Sequence, residues 1–315
     1  MFSTVQSMKK LIYIILVFSC CVFYAQEFIV LDSLTKESLP FSNIIIDNKG
    51  FYTNENGRFS IKENSKAIEI SHLGYKNFSS DIRKIKDTIF LIPKPIIIKE
   101  VIISSDNNEK IQKIGYLKKT KYSIGLLSSK EENIIVIVPT NSAIIDNYIE
   151  KVEFPLNKFK LYNKKDKLYK NVPAVIRINI YTVENNLPKE RIFSSKPIKF
   201  IMSEKEVISV DISEEMIKLP KNGLSFGIEM IGRVNNNGEF IEENAHTRPI
   251  FTDQLSKDYK AVTYRTSLKE KEEYYPVNDI NPYLMRDIKN YKPQDYNLAI
   301  GLVIKKAIFI SMFSY

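Results

Sequence analysis

Short apolar runs rich in Ile, Val, Phe and Tyr follow one another from residue 27 onward, and polar turn residues separate them. Runs of this length and composition predict β-strands. In residues 27–103 the predicted strands are Phe28–Asp32, Ser42–Asp47, Gly50–Thr53, Arg58–Lys62, Ala67–His72, Thr88–Ile92 and Glu100–Ile103. Gly57 and Gly74 fall at predicted turns, where a positive φ suits glycine. The region is therefore predicted to be a small antiparallel β-sandwich.

A second stretch of predicted strands occupies residues 121–315. Residues 104–120, rich in Lys, Ser and Asn, are interpreted as a linker. The predicted strands beyond the linker are Ile134–Val138, Tyr148–Phe154, Ala174–Val183, Ile198–Ile201, Val207–Asp211, Leu224–Ile231, Tyr259–Thr266 and Asn297–Ile304. Polar and apolar side chains alternate within Arg177–Val183, which predicts a half-buried strand. One short helix is predicted at Asn281–Asn290. The chain is thus predicted to be all-β, with a small sandwich followed by a larger one.

The first region also carries a family pattern in its residues. The pattern consists of Val30–Asp32, Thr35, Leu39–Pro40, Asn43–Ile44, Lys49–Gly50, Thr53, Gly57–Ile61, Ile70–Ser71, Leu73–Lys76, Leu91 and Lys99–Ile103. In order and spacing, this set resembles the carboxypeptidase-like regulatory domain found at the start of many exported proteins of Gram-negative envelopes. The resemblance implies a transthyretin-like, immunoglobulin-like sandwich that is an accessory domain and not itself a peptidase. It assigns no catalytic residue to this chain.

A second set of short pieces carries another resemblance. These pieces are Ile178–Tyr181, Asn186–Pro188, Val210–Ile212, Leu219–Pro220 and Phe226–Glu229. Together they look like the jelly-roll-type region that follows such regulatory-like domains in exported proteins of uncharacterised role. The resemblance implies a jelly-roll-like sandwich over residues 121–315.

The beginning of the chain has the features of an export signal. Lys9 and Lys10 precede the apolar stretch Leu11–Ala25, which is too short to span a bilayer comfortably. Residues 1–26 are therefore predicted to be a signal peptide that is cleaved near Gln26. The alternative is a lipoprotein signal, in which Cys20 or Cys21 would become the lipidated first residue.

Composition after cleavage excludes several classes of protein. Both cysteines of the chain lie within residues 1–26, so the mature chain would have no disulfide, cysteine nucleophile or thiolate metal site. The net charge of +9 falls to +7, because residues 1–26 contain two lysines and no acidic residue. This moderate charge is consistent with anionic envelope polymers, and export argues against a nucleic-acid partner.

Few residues offer catalytic or metal-binding chemistry. Gly223–Gly227 matches the G-x-S-x-G pattern of hydrolases, with Ser225 as the nucleophile, but it lies inside an apolar run typical of a strand. The two histidines, His72 and His246, belong to no zinc motif. We therefore expect no enzyme, no metal and no cofactor. A hydrolase that uses Ser225 is kept as the alternative.

Two surface patterns indicate possible ligands. Six lysines interleaved with aromatic residues form a basic stretch at residues 158–170 that could meet phosphate groups or an acidic glycan. Seven tyrosines whose rings could stack on sugars are Tyr259, Tyr264, Tyr274, Tyr275, Tyr283, Tyr291 and Tyr296. The apolar tail Ala307–Tyr315 is expected to be covered by the last sheet or by a partner.

These observations support a hypothesis about function. The chain is predicted to be a non-enzymatic binding or scaffold protein of the cell envelope, located in the periplasm or at the cell surface. Its predicted partner is an envelope protein or a glycan. An accessory component of an outer-membrane transport system is a second alternative, and no ligand-binding residue can be assigned.

Overall fold

The computed structural model of the chain describes residues 26–61, 65–94, 111–115, 127–157, 172–201, 204–241, 246–252, 254–268, 270–277 and 296–306. The predicted signal peptide, the strand Glu100–Ile103 and the helix Asn281–Asn290 lie outside these residues. So do the basic stretch 158–170 and the tail Ala307–Tyr315. The described residues form β-strands and short 3-10 turns, and the predicted all-β sandwich class is confirmed.

Seven strands build the N-terminal sandwich, residues 27–94. They are β1 (Glu27–Asp32), β2 (Asn43–Ile46), β3 (Lys49–Tyr52), β4 (Arg58–Ser60), β5 (Ala67–Ser71), β6 (Phe78–Asp81) and β7 (Thr88–Leu91). One sheet has the order β4-β1-β7 and the other β3-β2-β5-β6, and only β1 and β7 run parallel among these pairs. Alternate residues such as Phe28, Val30, Ile44 and Ile70 fill the core between the sheets.

Fifteen strands belong to the C-terminal sandwich, residues 111–306. They are β8 (Ile111–Gly115), β9 (Leu127–Ser128), β10 (Glu131–Pro139), β11 (Tyr148–Pro155), β12 (Ala174–Glu184), β13 (Leu187–Ser194), β14 (Ile198–Phe200), β15 (Val207–Asp211), β16 (Leu224–Arg233), β17 (His246–Thr247), β18 (Phe251–Thr252), β19 (Tyr259–Ser267), β20 (Glu270–Pro276), β21 (Asn297–Leu298) and β22 (Gly301–Lys305).

A large sheet and a small sheet face each other in this second sandwich. The large sheet has the order β13-β12-β16-β10-β19-β20, with β14 also paired to β12. The small sheet has the order β15-β11-β22-β8. Ile176, Phe226 and Ile228 from the large sheet pack with Val152 and Leu302 from the small one in a single apolar core.

Several predicted boundaries need correction. The predicted linker 104–120 contains β8, which pairs with β22, so the linker prediction is wrong for Ile111–Gly115. Only Ile114 of this edge strand is buried, and the polar composition around it concealed the strand. The predicted strand Asn297–Ile304 is two strands, since β21 pairs with β18 while β22 pairs with β11.

Several further strands were absent from the sequence prediction, among them β6 and β13, the short strands β9, β17 and β18, and β20. β6 has the sequence Phe-Ser-Ser-Asp, which lacks β-branched residues, and its pairing with β5 makes it a strand. β13 begins with Leu-Pro and carries charged residues, a composition that is not typical of a strand. Asn185 and Asn186, both with positive φ, close a tight two-residue turn that leads β12 into β13.

The two sandwiches contact each other through an apolar patch. Phe41 and Tyr52 of the N-terminal sandwich pack against Val175, Ile231 and Val234 of the large sheet. A β-carbon at Gly50 would overlap with Leu268, so the glycine permits close approach of the two backbones. This patch places the β2-β3 hairpin against the outer face of the large sheet.

Candidate functional site

A cleft of about 610 Å³ lies next to this contact and takes its walls from both sandwiches. Its side chains are mostly polar, with several hydroxyl groups and aromatic rings. The N-terminal wall includes Asn43, Tyr52, Ser71, His72, Tyr75 and Ser79, and the C-terminal wall includes Glu132, Tyr181, Arg191, Glu229, Thr266 and Tyr274. Clefts at the junction of two structural units are a preferred place for ligand binding.

A row of ionisable side chains crosses three neighbouring strands at the cleft, and two of them, Glu132 and Glu229, line it. Strand register places Glu132 of β10 opposite Glu229 of β16, and Glu229 opposite Arg177 of β12. All three residues are buried. Because directly opposed residues of a sheet project from the same face, the row is a consequence of strand order and register.

Glu132 has a hydrogen-bond donor on each carboxylate oxygen. Asn179 Nδ2 donates to Oε1 over 2.9 Å, and the Tyr181 hydroxyl donates to Oε2 over 2.7 Å. The carboxylate reaches these donors by crossing above Gly227, where a β-carbon would overlap with Oε1. Gly227 is therefore needed to leave room for the Glu132 side chain.

Both carboxylate oxygens of Glu229 also accept hydrogen bonds, and one of the donors belongs to the N-terminal sandwich. The Tyr52 hydroxyl donates to Oε1 over 2.5 Å, and Asn179 Nδ2 donates to Oε2 over 3.0 Å. Arg177 Nη1 lies 3.6 Å from Oε2, and Arg177 Nη2 donates to the Phe41 carbonyl over 2.7 Å. Tyr52 and Arg177 thus join the two sandwiches through the same carboxylate.

The two carboxyl groups have opposite shifts in pKa. Burial, followed by the neighbouring charge of Glu229, raises the pKa of Glu132 to about 7. Burial would also raise the pKa of Glu229, but the charges of Arg177 and Arg191 and the hydrogen bonds from Tyr52 and Asn179 lower it below the ordinary value. Near neutral pH the pair therefore carries a full charge on Glu229 and a partial one on Glu132.

His72 forms the opposite wall of the cleft and contributes an acceptor. The Ser42 hydroxyl donates to the Leu39 carbonyl over 3.0 Å, so the contact of 3.0 Å between Ser42 Oγ and His72 Nδ1 has the imidazole as donor. Burial, followed by the charges of Arg177 and Arg191, lowers the pKa of His72 to about 4. The ring is neutral at pH 7, and Nε2 carries a lone pair with no hydrogen-bond partner among the described residues.

The candidate residues of the sequence analysis lie elsewhere or contribute little to the cleft. Ser225 lies in the middle of β16, as the strand interpretation predicted, and its buried hydroxyl has no hydrogen-bond partner in the described part of the chain. His246 belongs to β17, which pairs with β9. Tyr283 and Tyr291 lie outside the described residues. Among the other five tyrosines of the set only Tyr274 lines the cleft, where its ring meets that of Tyr264 edge to face at 6.4 Å. Tyr259 and Tyr296 are buried.

The described residues also limit other kinds of site. Within the ten described ranges, no group of three or more His, Cys, Asp or Glu side chains is arranged to hold a metal ion. No helix in the same ranges is long and apolar enough to cross a membrane.

Comparisons with known proteins provide no family for the chain. No family model and no curated protein matches it. Among solved structures, the clostridial cysteine protease Cwp84 after propeptide cleavage is 12% identical, with a TM-score of 0.36 over 79% of this chain and 53% of its own. The cysteine protease and lectin-like domains of Cwp84, a surface-layer-associated protein of Clostridium difficile, align at 13% identity and a TM-score of 0.35 over 79% of this chain and 47% of theirs. A structure of infectious bursal disease virus, Gt strain, aligns at 8% identity and a TM-score of 0.26 over 86% of this chain and 56% of its own.

This chain thus spans about half of each aligned structure. TM-scores this low support no conclusion about activity, ligand or location. What the chain does has to be inferred from its own cleft.

Proposed function

We propose that the chain is a non-enzymatic binding module of the cell envelope and that the cleft between its sandwiches binds a hydroxyl-rich ligand, a segment of glycan. The observation that carries this proposal is the cleft itself, which is large enough for a short oligosaccharide and is lined by polar and aromatic side chains from both sandwiches. Tyr75 and Tyr274 offer ring faces of the kind that stack on sugars.

Hydrogen-bonding groups without partners support a polar ligand. His72 Nε2 is an open acceptor, and the buried Asn43 Oδ1 makes no hydrogen bond within the described residues. An acceptor without a partner is costly, and a sugar hydroxyl that donates to His72 Nε2 would relieve that cost. Both residues lie on the N-terminal wall, so a ligand that also contacts Tyr274 on the C-terminal wall would engage both sandwiches.

The state of the two glutamates supports binding over catalysis. A general acid or base needs an oxygen free to reach the substrate. All four carboxylate oxygens of Glu132 and Glu229 already accept hydrogen bonds from the protein. Ser225, the nucleophile of the alternative hydrolase, lies in the middle of a strand at 0% exposure. The glutamates are better explained as structural groups that line the cleft.

The remaining parts of the proposal rest on the sequence. We assign residues 27–103 to the carboxypeptidase-like regulatory type and residues 121–315 to a jelly-roll-like type, and we place the mature protein in the periplasm or at the cell surface after removal of residues 1–26. The two-sheet arrangement of seven strands in residues 27–94 supports the first assignment. An envelope protein is the other partner class.

The proposal is tested by comparing glycan binding to the wild type with binding to a variant whose cleft is blocked by a tryptophan side chain. Ser79 is exposed on edge strand β6 and lines the cleft, whereas Ser209 is equally exposed on edge strand β15 of the small sheet. Residues 27–315 would be titrated with a panel of neutral and acidic oligosaccharides by calorimetry. We expect binding by the wild type and by Ser209→Trp and at least a tenfold loss in Ser79→Trp. Equal binding by both variants, or no binding to any oligosaccharide, would overturn the proposal.

Catalysis is tested separately with ester, peptide and glycoside substrates. We expect no turnover by the purified mature chain. An activity that disappears in Ser225→Ala would establish the hydrolase alternative, and one that disappears in Glu132→Gln would show that the carboxyl pair is catalytic.

A further inference from the structure

Arg191 is the arginine that lines the cleft, and within the described part of the chain its guanidinium makes no hydrogen bond or ion pair. It lies on β13 directly opposite Tyr181 of β12. A guanidinium has five N–H donors in a planar fork, so a large binding capacity remains unused.

Three cations near Arg191 do have such partners among the described residues. Arg177 donates to the Phe41 carbonyl and lies beside Glu229. Lys189, two residues before Arg191 on the same strand, pairs with Glu184. Lys199 pairs with Glu55 of the N-terminal sandwich. Their charges are compensated within the protein, whereas that of Arg191 is compensated only at a distance.

The nearby carboxylates do not supply the missing partner. Glu132 and Glu229 direct their oxygens to Asn179, Tyr181 and Tyr52, and the negative charge of Glu229 is already opposed by Arg177. The partly buried guanidinium therefore faces the cleft with a positive charge and open donors. A buried or half-buried charge of this kind is stabilised when a ligand brings the opposite charge.

Resting on the proposed function, we propose that Arg191 anchors an anionic group of the ligand in the cleft, so that the bound glycan is an acidic one. The guanidinium donates two parallel hydrogen bonds to the two oxygens of a carboxylate, and it donates to a sulfate or phosphate ester in the same way. The shared chemistry is a planar or tetrahedral oxyanion on a sugar. The open acceptor at His72 on the opposite wall would take a sugar hydroxyl group.

The charges around Arg191 predict how such binding depends on pH. The ionisable groups that interact with it are Glu132 of β10, Glu229 of β16, Tyr181 of β12, Tyr52 of β3 and His72 after β5, and its neighbours Lys189 and Glu190 on β13 also line the cleft. Among these, only Glu132 titrates near neutral pH, with a pKa of about 7. An incoming anion is repelled by ionised Glu132, so binding is expected to tighten as the pH falls from 8 to 6. In Glu132→Gln this dependence is expected to disappear.

The test observes the Arg191 side chain directly in the mature chain of residues 27–315. The Nε–Hε signal of Arg191, assigned by its loss in Arg191→Lys, is followed by NMR during titrations with D-glucuronate, glucose 6-sulfate, glucose 6-phosphate and neutral D-glucose. We expect a saturable shift with one or more acidic sugars and none with glucose, and the three acidic probes distinguish the source of the anion. No shift with any acidic sugar would overturn the proposal.

Variants extend the test to affinity. Arg191→Met is expected to weaken binding of the acidic sugar by about tenfold or more, which corresponds to the loss of a charge-assisted hydrogen-bonded pair. Lys260→Met, which removes an equal charge from an exposed position on β19 of the same sheet outside the cleft, is the matched control and is expected to change affinity less than twofold. Equal losses in the two variants would contradict the anchor and indicate a general effect of charge.

The outcomes separate this inference from the proposed function. In one outcome, neutral oligosaccharides bind equally well to the wild type and Arg191→Met but no longer bind to Ser79→Trp. This result would support the glycan site and contradict the anionic anchor. In the other outcome, acidic sugars shift the NMR signal of Arg191 but bind to Ser79→Trp with unchanged affinity. This result would support an anion site at Arg191 and contradict the cleft as the glycan site.

Discussion

The two faces of the large sheet are both buried, yet they are buried in different ways. On β12 and β16 one face presents Ile176, Ile178 and Ile228 to the apolar core of the C-terminal sandwich. The other face presents Arg177 and Glu229, both buried and in contact with the N-terminal sandwich. The first face is stabilised by packing and the second by hydrogen bonds and opposite charges. Polar residues at alternate positions of a strand can therefore indicate a covered polar interface as well as a solvated face.

The largest effect is expected on the apolar face. Phe226 lies in the core between the two sheets at 0% exposure, so Phe226→Ala removes a whole ring from a closed core. We expect the free energy of unfolding to fall by about 3–5 kcal/mol. Phe90→Ala, at a phenylalanine that is 43% exposed on β7, is the matched control with an expected loss of below about 1 kcal/mol. Urea denaturation measures both, and similar losses would contradict the assignment of the core.

At the polar face, the ionisable groups His72 and Glu132 are expected to make the free energy of unfolding depend on pH. The folded-state pKa of His72, about 4, lies below its ordinary 6.5, so unfolding takes up a proton between these values and stability rises with pH. The folded-state pKa of Glu132, about 7, lies above its ordinary 4.5, so unfolding releases a proton and stability falls as the pH rises through this window. The two slopes oppose each other between pH 4.5 and 6.5.

Single substitutions separate the two slopes. In Glu132→Gln we expect the free energy of unfolding to rise by about 3 kcal/mol from pH 4 to 6.5, because only the His72 contribution remains. In His72→Asn we expect it to fall by about the same amount from pH 4.5 to 7. The wild type is expected to change less than either variant. Denaturation curves across pH 4–8 measure this, and three parallel profiles would refute the buried positions of both groups.

A smaller effect on stability is expected at Gly227, where the polar face has no room for a β-carbon. In Gly227→Ala the new β-carbon overlaps with Glu132 Oε1 and displaces the carboxylate from Asn179 and Tyr181. We expect a loss of about 1–3 kcal/mol in unfolding free energy. Combining the change with Glu132→Ala should remove most of that loss, because the group that overlaps is absent. Additive losses in the double variant would show that Gly227 is needed for another reason.

Much of the fold could be predicted from local patterns. β1, β5, β7 and most long strands of the second region follow from β-branched and aromatic runs, with ends within one or two residues for the first three. The predicted positive φ of the turn glycines is confirmed, with φ values of 72° at Gly57 and 83° at Gly74. These features depend on residues close in the chain, which is why the sequence reveals them.

The cleft could not be predicted, because its residues meet through strand order. Glu132 precedes the apolar run that predicted its strand, and the alternation around Arg177 predicted only a half-buried strand. The prediction was wrong about exposure, since Arg177 is 6% exposed and Asn179 is 0% exposed. The available signal was a set of polar residues inside otherwise apolar runs at Arg177, Asn179 and Glu229. It becomes informative only when β12, β16 and β10 are known to be neighbours.

The central claim is that the N-terminal sandwich covers the polar face of the large sheet, and the bond between Tyr52 and Glu229 tests it most directly. A double-mutant cycle of Tyr52→Phe and Glu229→Gln in the full mature chain measures the coupling between residues that are 177 positions apart. Tyr75→Phe serves as the control, because the Tyr75 hydroxyl bonds Asp32 within its own sandwich. We predict a coupling of about 1.5–3 kcal/mol for Tyr52 with Glu229 and additive effects for Tyr75 with Glu229. Additive effects in both cycles would contradict the claim.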